Sequence, residues 1–399
     1  MQAPQCGACS FAAPAATIRL MQVLFWVLLF AAAYSYFIYP ALLWLLSRGR
    51  RDLVTPGAGP GEWPSMTLIV TAYNEEKRIR AKIENTLAID YPRDQLELIV
   101  ASDCSSDATD SIAEEFAAQG VRVVRAGERL GKENAQLTAL REARGEILVF
   151  SDVATQIPTD ALRRLAKYFA SPEVGAVSSE DRFVGSDGVV AGEGAYVRYE
   201  MWLRRMESRV AGLVGLSGSF FAARKRICEQ WDILSPSDFN TALNCARAGT
   251  RAVTSPDVLG YYKDLADPRK EYQRKVRTVL RGITAIARHP DVLNPFHFGL
   301  FAWQVWSHKI MRWLVPYFLV ALLVTSVPLA AQGGIYALAL AAQIAFYGVA
   351  LLAHFSRRLR DHALPKLIYF FVQVNISLAD ASLRFLTGQR MATWQPSAR

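Results

Sequence analysis

The chain reads as an α/β protein, a mostly parallel sheet with helices on both faces, joined to transmembrane helices at both ends. Three observations predict this. Short apolar runs alternate with helical patterns through the middle of the sequence, the mark of strand–helix–strand units. Uncharged stretches long enough to cross about 30 Å of hydrocarbon flank that region. Of the 399 residues 52% are hydrophobic, and the mean hydropathy of +0.13 is high for a soluble protein.

Residues 1–19 form an Ala/Pro-rich tail. Cys6 and Cys9 make a C-x-x-C there, without the partners a redox or zinc site needs, and the five cysteines of the chain are scattered. With Met21 just before the apolar run, these leading residues read as an extension without function. Residues 20–47 are the first transmembrane helix: no charge lies between Arg19 and Arg48, and Trp26, Tyr34, Tyr36, Tyr39 and Trp44 suit membrane interfaces. A signal peptide fits poorly, because the run is too long and is followed by Ser47-Arg-Gly-Arg-Arg51, not by a small-residue cleavage site. That basic cluster favours the cytoplasmic side, which places the next domain inside. Residues 48–64 are a linker, rich in Pro and Gly from Asp52 onward.

The globular domain covers 65–292. Its expected strands are Thr67–Thr71, Leu96–Ala101, Val121–Arg125 and Ile147–Phe150, and its expected helices Glu75–Leu87, Asp107–Ala118 and Lys132–Ala143. In such sheets ligands bind beyond the carboxyl ends of the strands. Tyr73-Asn74-Glu75, Ser102-Asp103 and Ser151-Asp152 occupy those places, so acidic side chains converge on one edge. Asp107 reads as a helix cap. Asp103 and Asp152 each end a strand directly, where a carboxylate can accept from a uracil N3–H or a ribose hydroxyl, or hold a hard divalent cation beside a pyrophosphate. Asp238 begins a helix of small residues and is either a general base for an acceptor hydroxyl or an N-cap. Arg274, Lys275 and Arg277 form a cluster that could stabilise a diphosphate, or a solvated basic face.

Residues 293–311 combine Trp303, Trp306, His308 and Lys309, and read as an interfacial helix that would hold the pocket near lipid. Residues 312–399 are a C-terminal membrane region of two to three spans. Trp313 to Phe355 carries no Lys, Arg, Asp or Glu and is interrupted at Pro328 and Gly333-Gly334, as a helical hairpin would be; Arg357, Arg358 and Arg360 mark its return to the inside. A weaker run from Lys366 to Leu386 carries Asn375 and Asp380. If it crosses, the C-terminus lies outside, whereas Arg384, Arg390 and Arg399 favour inside; a re-entrant or interfacial helix is the alternative. A net charge of +9 and a pI near 9.3 suit contact with anionic lipid. No basic helix with interleaved aromatics accompanies the charge, so no nucleic-acid partner is expected.

Thr71-Ala-Tyr-Asn-Glu75, Val100-Ala-Ser-Asp-Cys-Ser-Ser-Asp107, Gly131-Lys132, Phe150-Ser-Asp-Val-Ala-Thr155 and Ser237-Asp-Phe239 come in an order and spacing that resembles the membrane-bound family 2 glycosyltransferases, over about residues 20 to 395. The resemblance implies a GT-A fold, an inverting mechanism and a UDP-sugar donor. It implies transfer of a hexose or N-acetylhexosamine to a lipid-linked or glycan acceptor, at the cytoplasmic face of the inner membrane, in envelope or exopolysaccharide synthesis. Asp103 matches the carboxylate that reads uracil, Ala72, Tyr73 and Glu75 the loop around the nucleoside, and Lys132 lies in a donor-side motif. Asp152 matches the first acid of the D-x-D element, and Ala154 stands in place of the second. A divalent cation, Mg2+ or Mn2+, would then rest on Asp152 with water and phosphate oxygens, or be dispensable. Asp238 matches the catalytic base of the (E/D)-D element, with Ser237 in place of the first acid. Gln273 to Arg277, with Arg274 and Arg277 on the donor side, loosely resembles the Q-x-x-R-W element, but Thr278 replaces its Trp, which weakens a processive reading. Gly215-Leu-Ser-Gly218 followed by Arg224-Lys225 resembles the acceptor-side loop, while Tyr196 to Arg209 reads as a packing helix. The competing readings are a short-chain processive synthase and an inactive nucleotide-sugar-binding homologue; a transporter would need more spans and paired charges inside them.

Overall fold

Residues 15–50, 62–184, 195–263 and 268–389 are described by the structure, a computed structural model. Cys6 and Cys9, most of the expected linker, Arg390 and Arg399 lie outside them. The chain divides into two units, 1–38 with 311–379, and 39–310 with 380–399.

Helix α1 (Ala15–Ala33) leads through a π-helical turn (Tyr34–Ile38) into α2 (Tyr39–Ser47). The first half of the sheet domain then alternates as expected: β1 (Met66–Ala72), α3 (Ile79–Leu87), β2 (Leu96–Ser102), α4 (Thr109–Glu114), β3 (Val121–Arg125), α5 (Lys132–Glu142) and β4 (Ile147–Asp152). Helix α3 starts four residues later than its pattern suggested. Asn74 adopts φ +50°, and Arg78 and Ile79 both donate to the Glu75 carbonyl, so the segment after β1 is a turn. Helix α4 stops early, and a 3-10 turn (Ala117–Gln119) ends at Gly120, whose φ of +89° favours glycine.

The second half comprises α6 (Ala161–Tyr168), β5 (Val174–Val184), α7 (Ala195–Val210), β6 (Phe220–Arg224), α8 (Ser237–Arg247), β7 (Arg251–Lys263) and α9 (Pro268–Arg288). The seven strands lie in the order β3-β2-β1-β4-β6-β5-β7. β6 runs antiparallel to both neighbours, β4 and β5, and every other pair is parallel. Each central strand is apolar on both faces because helices cover both. Leu68, Val70, Val149 and Val177 face one core with Ile79, Ile83 and Leu162; Ile69, Ile99, Leu148 and Phe150 face the other with Ala135, Ala139 and Ala242. Phe150 stacks on Phe221 at 4.8 Å and on Trp231 at 5.1 Å between centroids. Its truncation to Ala would cost roughly 3–5 kcal/mol. In α7, Leu203, Met206 and Val210 are buried, in keeping with a packing helix.

Next come α10 (Pro295–Val305), a second π-helical turn (Trp306–Ile310), α11 (Met311–Leu329), α12 (Gly334–Phe355), the short α13 (Arg357–Arg360) and α14 (Ala363–Leu386). The expected interfacial segment thus comprises α10 and the π-helical turn after it. Two of its polar residues turn inward: Gln304 donates to the Gly212 carbonyl at 2.8 Å, and His308 Nδ1 lies 2.6 Å from Glu207 Oε1, which also accepts from the Tyr39 hydroxyl. Within the other unit, Phe25 and Leu28 of α1 pack on Leu322 and Leu329 of α11. Gly333 and Gly334, at φ +71° and +55°, make the turn into α12. Among the described residues three stretches, Ala16–Ser47, Pro295–Gln332 and Gly334–Phe355, are long and apolar enough to cross a membrane; α14 is not among them. Near its end α14 instead places Ala381 and Phe385 against Val276 and Leu280 of α9, and Asp380 accepts from Tyr272 at 3.1 Å.

Candidate active site

The carboxyl ends of β1, β2 and β4 define the site. Parallel register puts Ala72 beside Ser102 and Thr71 beside Asp152, so the residues after each strand emerge at one edge. Asp103 is anchored there by its own N–H, which donates to the Ala72 carbonyl at 2.9 Å. Ala72 therefore contributes its backbone. The Asp103 carboxylate is buried, with Oδ1 accepting from Gly131 N–H at 3.1 Å and Oδ2 left without a hydrogen-bond partner. Burial pushes its pKa up, against the Gly131 hydrogen bond and the Arg129 charge. An orphaned buried acceptor costs about 1–3 kcal/mol, so the atom is suited to an incoming N–H or O–H donor. The Arg129 guanidinium lies 3.8 Å from the centroid of the Tyr73 ring, forming a flat wall beside it.

Glu75 has a mainly local role. Its carboxylate is buried and paired with Arg78 at 2.6 Å, and its N–H donates to Thr109 Oγ1 at 2.7 Å. Burial raises its pKa, with Arg78 opposing and Asp152 and Asp107 adding to the rise. Asp107 accepts from the N–H groups of Thr109 and Glu76 and so laces this turn to the start of α4, one residue outside the cap position held by Ala108.

Lys132, the first residue of α5, joins the end of β4 to the loop before β6. Gly131 before it takes φ +108°, open to glycine, and the Lys132 ammonium donates to Asp152 Oδ1 and, at 2.8 Å, to the Gly218 carbonyl. The Asp152 N–H donates to the Ser219 carbonyl at 3.0 Å. Asp238 enters from the far side. It is the second residue of α8, whose cap is Pro236, so the N-cap role is not what holds it. The Leu216 N–H donates to its carbonyl at 3.3 Å, and a Cβ on Gly218 would sit 3.3 Å from its Oδ2. Burial raises the Asp238 pKa, Lys132 and Arg281 pull it down, and Glu133 pushes it up. Asp103, Gly131, Lys132, Asp152, Gly218 and Asp238 thus form one contiguous constellation.

Arg274 and Arg277 lie on α9, where helical spacing puts them on the same side as Arg281. It is Arg281 that reaches the buried Glu133, at 2.7 Å. Arg224 and Lys225 depart from expectation. The five residues of β6 carry them to the opposite end of the sheet, where Arg224 pairs with Ile147 and Lys225 donates to the Ala143 carbonyl at 2.6 Å.

Three supporting groups leave no mark in the sequence. Lys82 of α3 is buried beneath the β4 turn, donating to Ser151 Oγ at 2.8 Å and to the Thr155 carbonyl at 2.5 Å. Burial pulls its pKa down to about 7, with Asp152 opposing. Asp181 of β5 accepts from Ser217 and Ser219 hydroxyls at 2.6 Å each and from Ser179 at 3.3 Å, and burial raises its pKa. The Glu133–Arg281 pair is the third. Among the described residues no group of three or more His, Cys, Asp or Glu is arranged to hold a metal ion. Asp152 offers one carboxylate, which suits a hard cation that keeps several waters and leans on substrate phosphates.

The profile described as Glycosyl transferase family 2 matches residues 67–231. A β-monoglucosyldiacylglycerol synthase of Synechocystis is 31% identical over 183 residues, which cover 44% of this chain and 38% of the synthase. An N-acetylglucosaminyltransferase of Sinorhizobium fredii is 29% identical over 160 residues, 39% of this chain and 38% of its own. The chain therefore spans well under half the length of these curated relatives. A mannosyltransferase from Pyrobaculum calidifontis, solved with GDP-Man and Mn2+, is 25% identical with a TM-score of 0.72, covering 93% of this chain and 100% of that one. Residues 67–231 accordingly match the glycosyl transferase family 2 domain, the sheet is GT-A-like, and among the described residues three helices are apolar enough to cross a membrane.

Proposed function

We propose that the protein is an inverting glycosyltransferase. It moves a hexose or N-acetylhexosamine from a UDP-sugar to a lipid-linked or glycan acceptor at the cytoplasmic face of the inner membrane. The observation that carries this reading is the link through Lys132 and Gly218, which ties the donor-side Asp152 to the half-buried Asp238.

In this reading the Asp103 Oδ2 atom accepts the uracil N3–H beside Tyr73, and Lys132 faces the diphosphate. Asp238 takes the proton of the acceptor hydroxyl as its oxygen attacks the anomeric carbon opposite the leaving nucleotide. Its raised pKa makes it a better base than an ordinary carboxylate. A Mg2+ or Mn2+ ion, held by Asp152, would supply charge neutralisation to the departing diphosphate. Arg274 and Arg277 belong to the same donor side. The three apolar helices support a multi-pass membrane setting, and the diacylglycerol named in the Synechocystis relative supports a lipid acceptor.

A second donor, a GDP-sugar, is favoured by the GDP-Man bound to the mannosyltransferase, because guanine also presents N–H donors to a carboxylate. The test uses the full chain in lipid nanodiscs. UDP and GDP affinities are measured, then transfer from several nucleotide sugars to diacylglycerol and polyprenyl-phosphate acceptors, with and without Mn2+ or Mg2+. Asp238→Asn should keep nucleotide affinity and lose turnover. Normal transfer by that variant would remove Asp238 as the base, and nucleotide binding without transfer to any acceptor would favour an inactive binding homologue.

A further inference from the structure

Two cations and several carboxylates share the inner part of the site, and each cation is already engaged. Lys132 is held by Asp152 and the Gly218 carbonyl. Arg281 is held by Glu133, the residue after Lys132, with Nη2 at 2.7 Å from Oε1. Both pairs lie next to Asp238: the Gly218 that accepts from Lys132 borders its Oδ2, and Glu133 Oε1 lies 3.4 Å from the N–H of Ser237, the residue before it.

The Glu133–Arg281 pair is unusual in its burial. The Glu133 side chain is 2% exposed and that of Arg281 14%. The Glu133 backbone is fixed by Trp231, whose indole N–H donates to its carbonyl at 2.9 Å, and Oε1 also lies 3.4 Å from the Ser237 N–H. Oε2 is buried with no hydrogen-bond partner. A carboxylate taken out of water with one oxygen unsatisfied is a poor structural choice, because desolvation offsets much of the pair's attraction. A guanidinium, in contrast, binds phosphate oxygens through a two-pronged donor fork.

We infer that Arg281 binds the diphosphate of the donor nucleotide, and that Glu133 is the internal counter-ion that competes with the nucleotide for it. The inference rests on the donor class proposed above. In the free protein Glu133 holds the guanidinium in place. When the diphosphate arrives, Arg281 exchanges one anion for another, and Arg277 and Arg274, one and two turns back on the same side of α9, follow the same surface. Each carboxylate held in reserve lowers the apparent affinity for nucleotide, since the ligand must displace it.

The two partners are therefore predicted to act in opposite directions. Isothermal titration of the full chain in nanodiscs compares UDP with uridine, and GDP with guanosine. Arg281→Ala should weaken diphosphate binding tenfold or more and leave nucleoside binding unchanged, with Arg281→Lys intermediate. Glu133→Gln should tighten diphosphate binding several-fold, again without effect on the nucleoside. If both variants weaken nucleotide and nucleoside alike, the pair is only structural and the inference falls; an unaltered UDP-to-uridine ratio in Arg281→Ala overturns it as well. A wild-type chain that binds neither nucleotide sinks the donor assignment itself, a result distinguishable from both.

Discussion

Lys82→Met removes a buried amine from beneath the β4 turn while keeping a side chain of similar length. Lys82 is 3% exposed, and burial brings its pKa from the ordinary 10.5 to about 7, with Asp152 acting the other way. Between those two values the unfolded chain holds a proton that the folded chain has shed, so stability rises with pH across this window and is lowest below it. For a single group with these constants the gain between pH 7 and pH 9 is ~2 kcal/mol. A methionine does not titrate. Thermal or denaturant unfolding of wild type and Lys82→Met at pH 7, 8 and 9 should therefore diverge, wild type gaining by that amount relative to the variant. The neutral amine still donates to Ser151 and Thr155, so the contacts that shape the turn persist as the pH rises. Parallel stability curves over this range would show that Lys82 remains charged in the fold and that the burial argument is wrong.

Three further outcomes are expected. Because burial raises the Asp238 pKa, kcat/KM should fall on the acid side through a value above the usual carboxylate range of about 4, as a pH profile under saturating acceptor would show. Gly218→Ala places a Cβ 3.3 Å from Asp238 Oδ2, so the carboxylate must give by a few tenths of an ångström; kcat should drop roughly three- to tenfold with the melting temperature little changed. Asp181→Asn replaces an anion that accepts from three serine hydroxyls with an amide that also donates, and differential scanning should show a loss of about 1–3 kcal/mol.

The four strands β1 to β4 were legible because parallel strands covered on both faces read as unbroken apolar runs, such as Leu68 to Val70 and Ile147 to Phe150. The remaining three were not. β5 carries Ser178-Ser-Glu-Asp-Arg182 within its length, and β7 is interrupted by Ser255-Pro-Asp257, so neither shows a strand period. Asp103, Asp152 and Asp238 could be singled out because a carboxylate at a strand or helix terminus stands out locally. Lys82, Asp181 and Arg281 could not, since each looks like an ordinary polar residue until partners 69, 36 and 148 positions away are brought to it. Arg224 and Lys225 failed in the opposite sense. They follow the acceptor-side loop in sequence, but a strand of five residues is long enough to carry them across the sheet.

The segment Leu216 to Ser219 touches Asp238 through Leu216 and Gly218, the Lys132 ammonium through Gly218, and the Asp152 backbone through Ser219. Three residues of this four-residue segment thus tie together the loops that carry Lys132, Asp152 and Asp238. Under the assignment proposed above, an engineer who altered this stretch to admit a different acceptor would shift the donor cradle in the same stroke, so changes of acceptor preference are better sought in surfaces that leave these four positions alone.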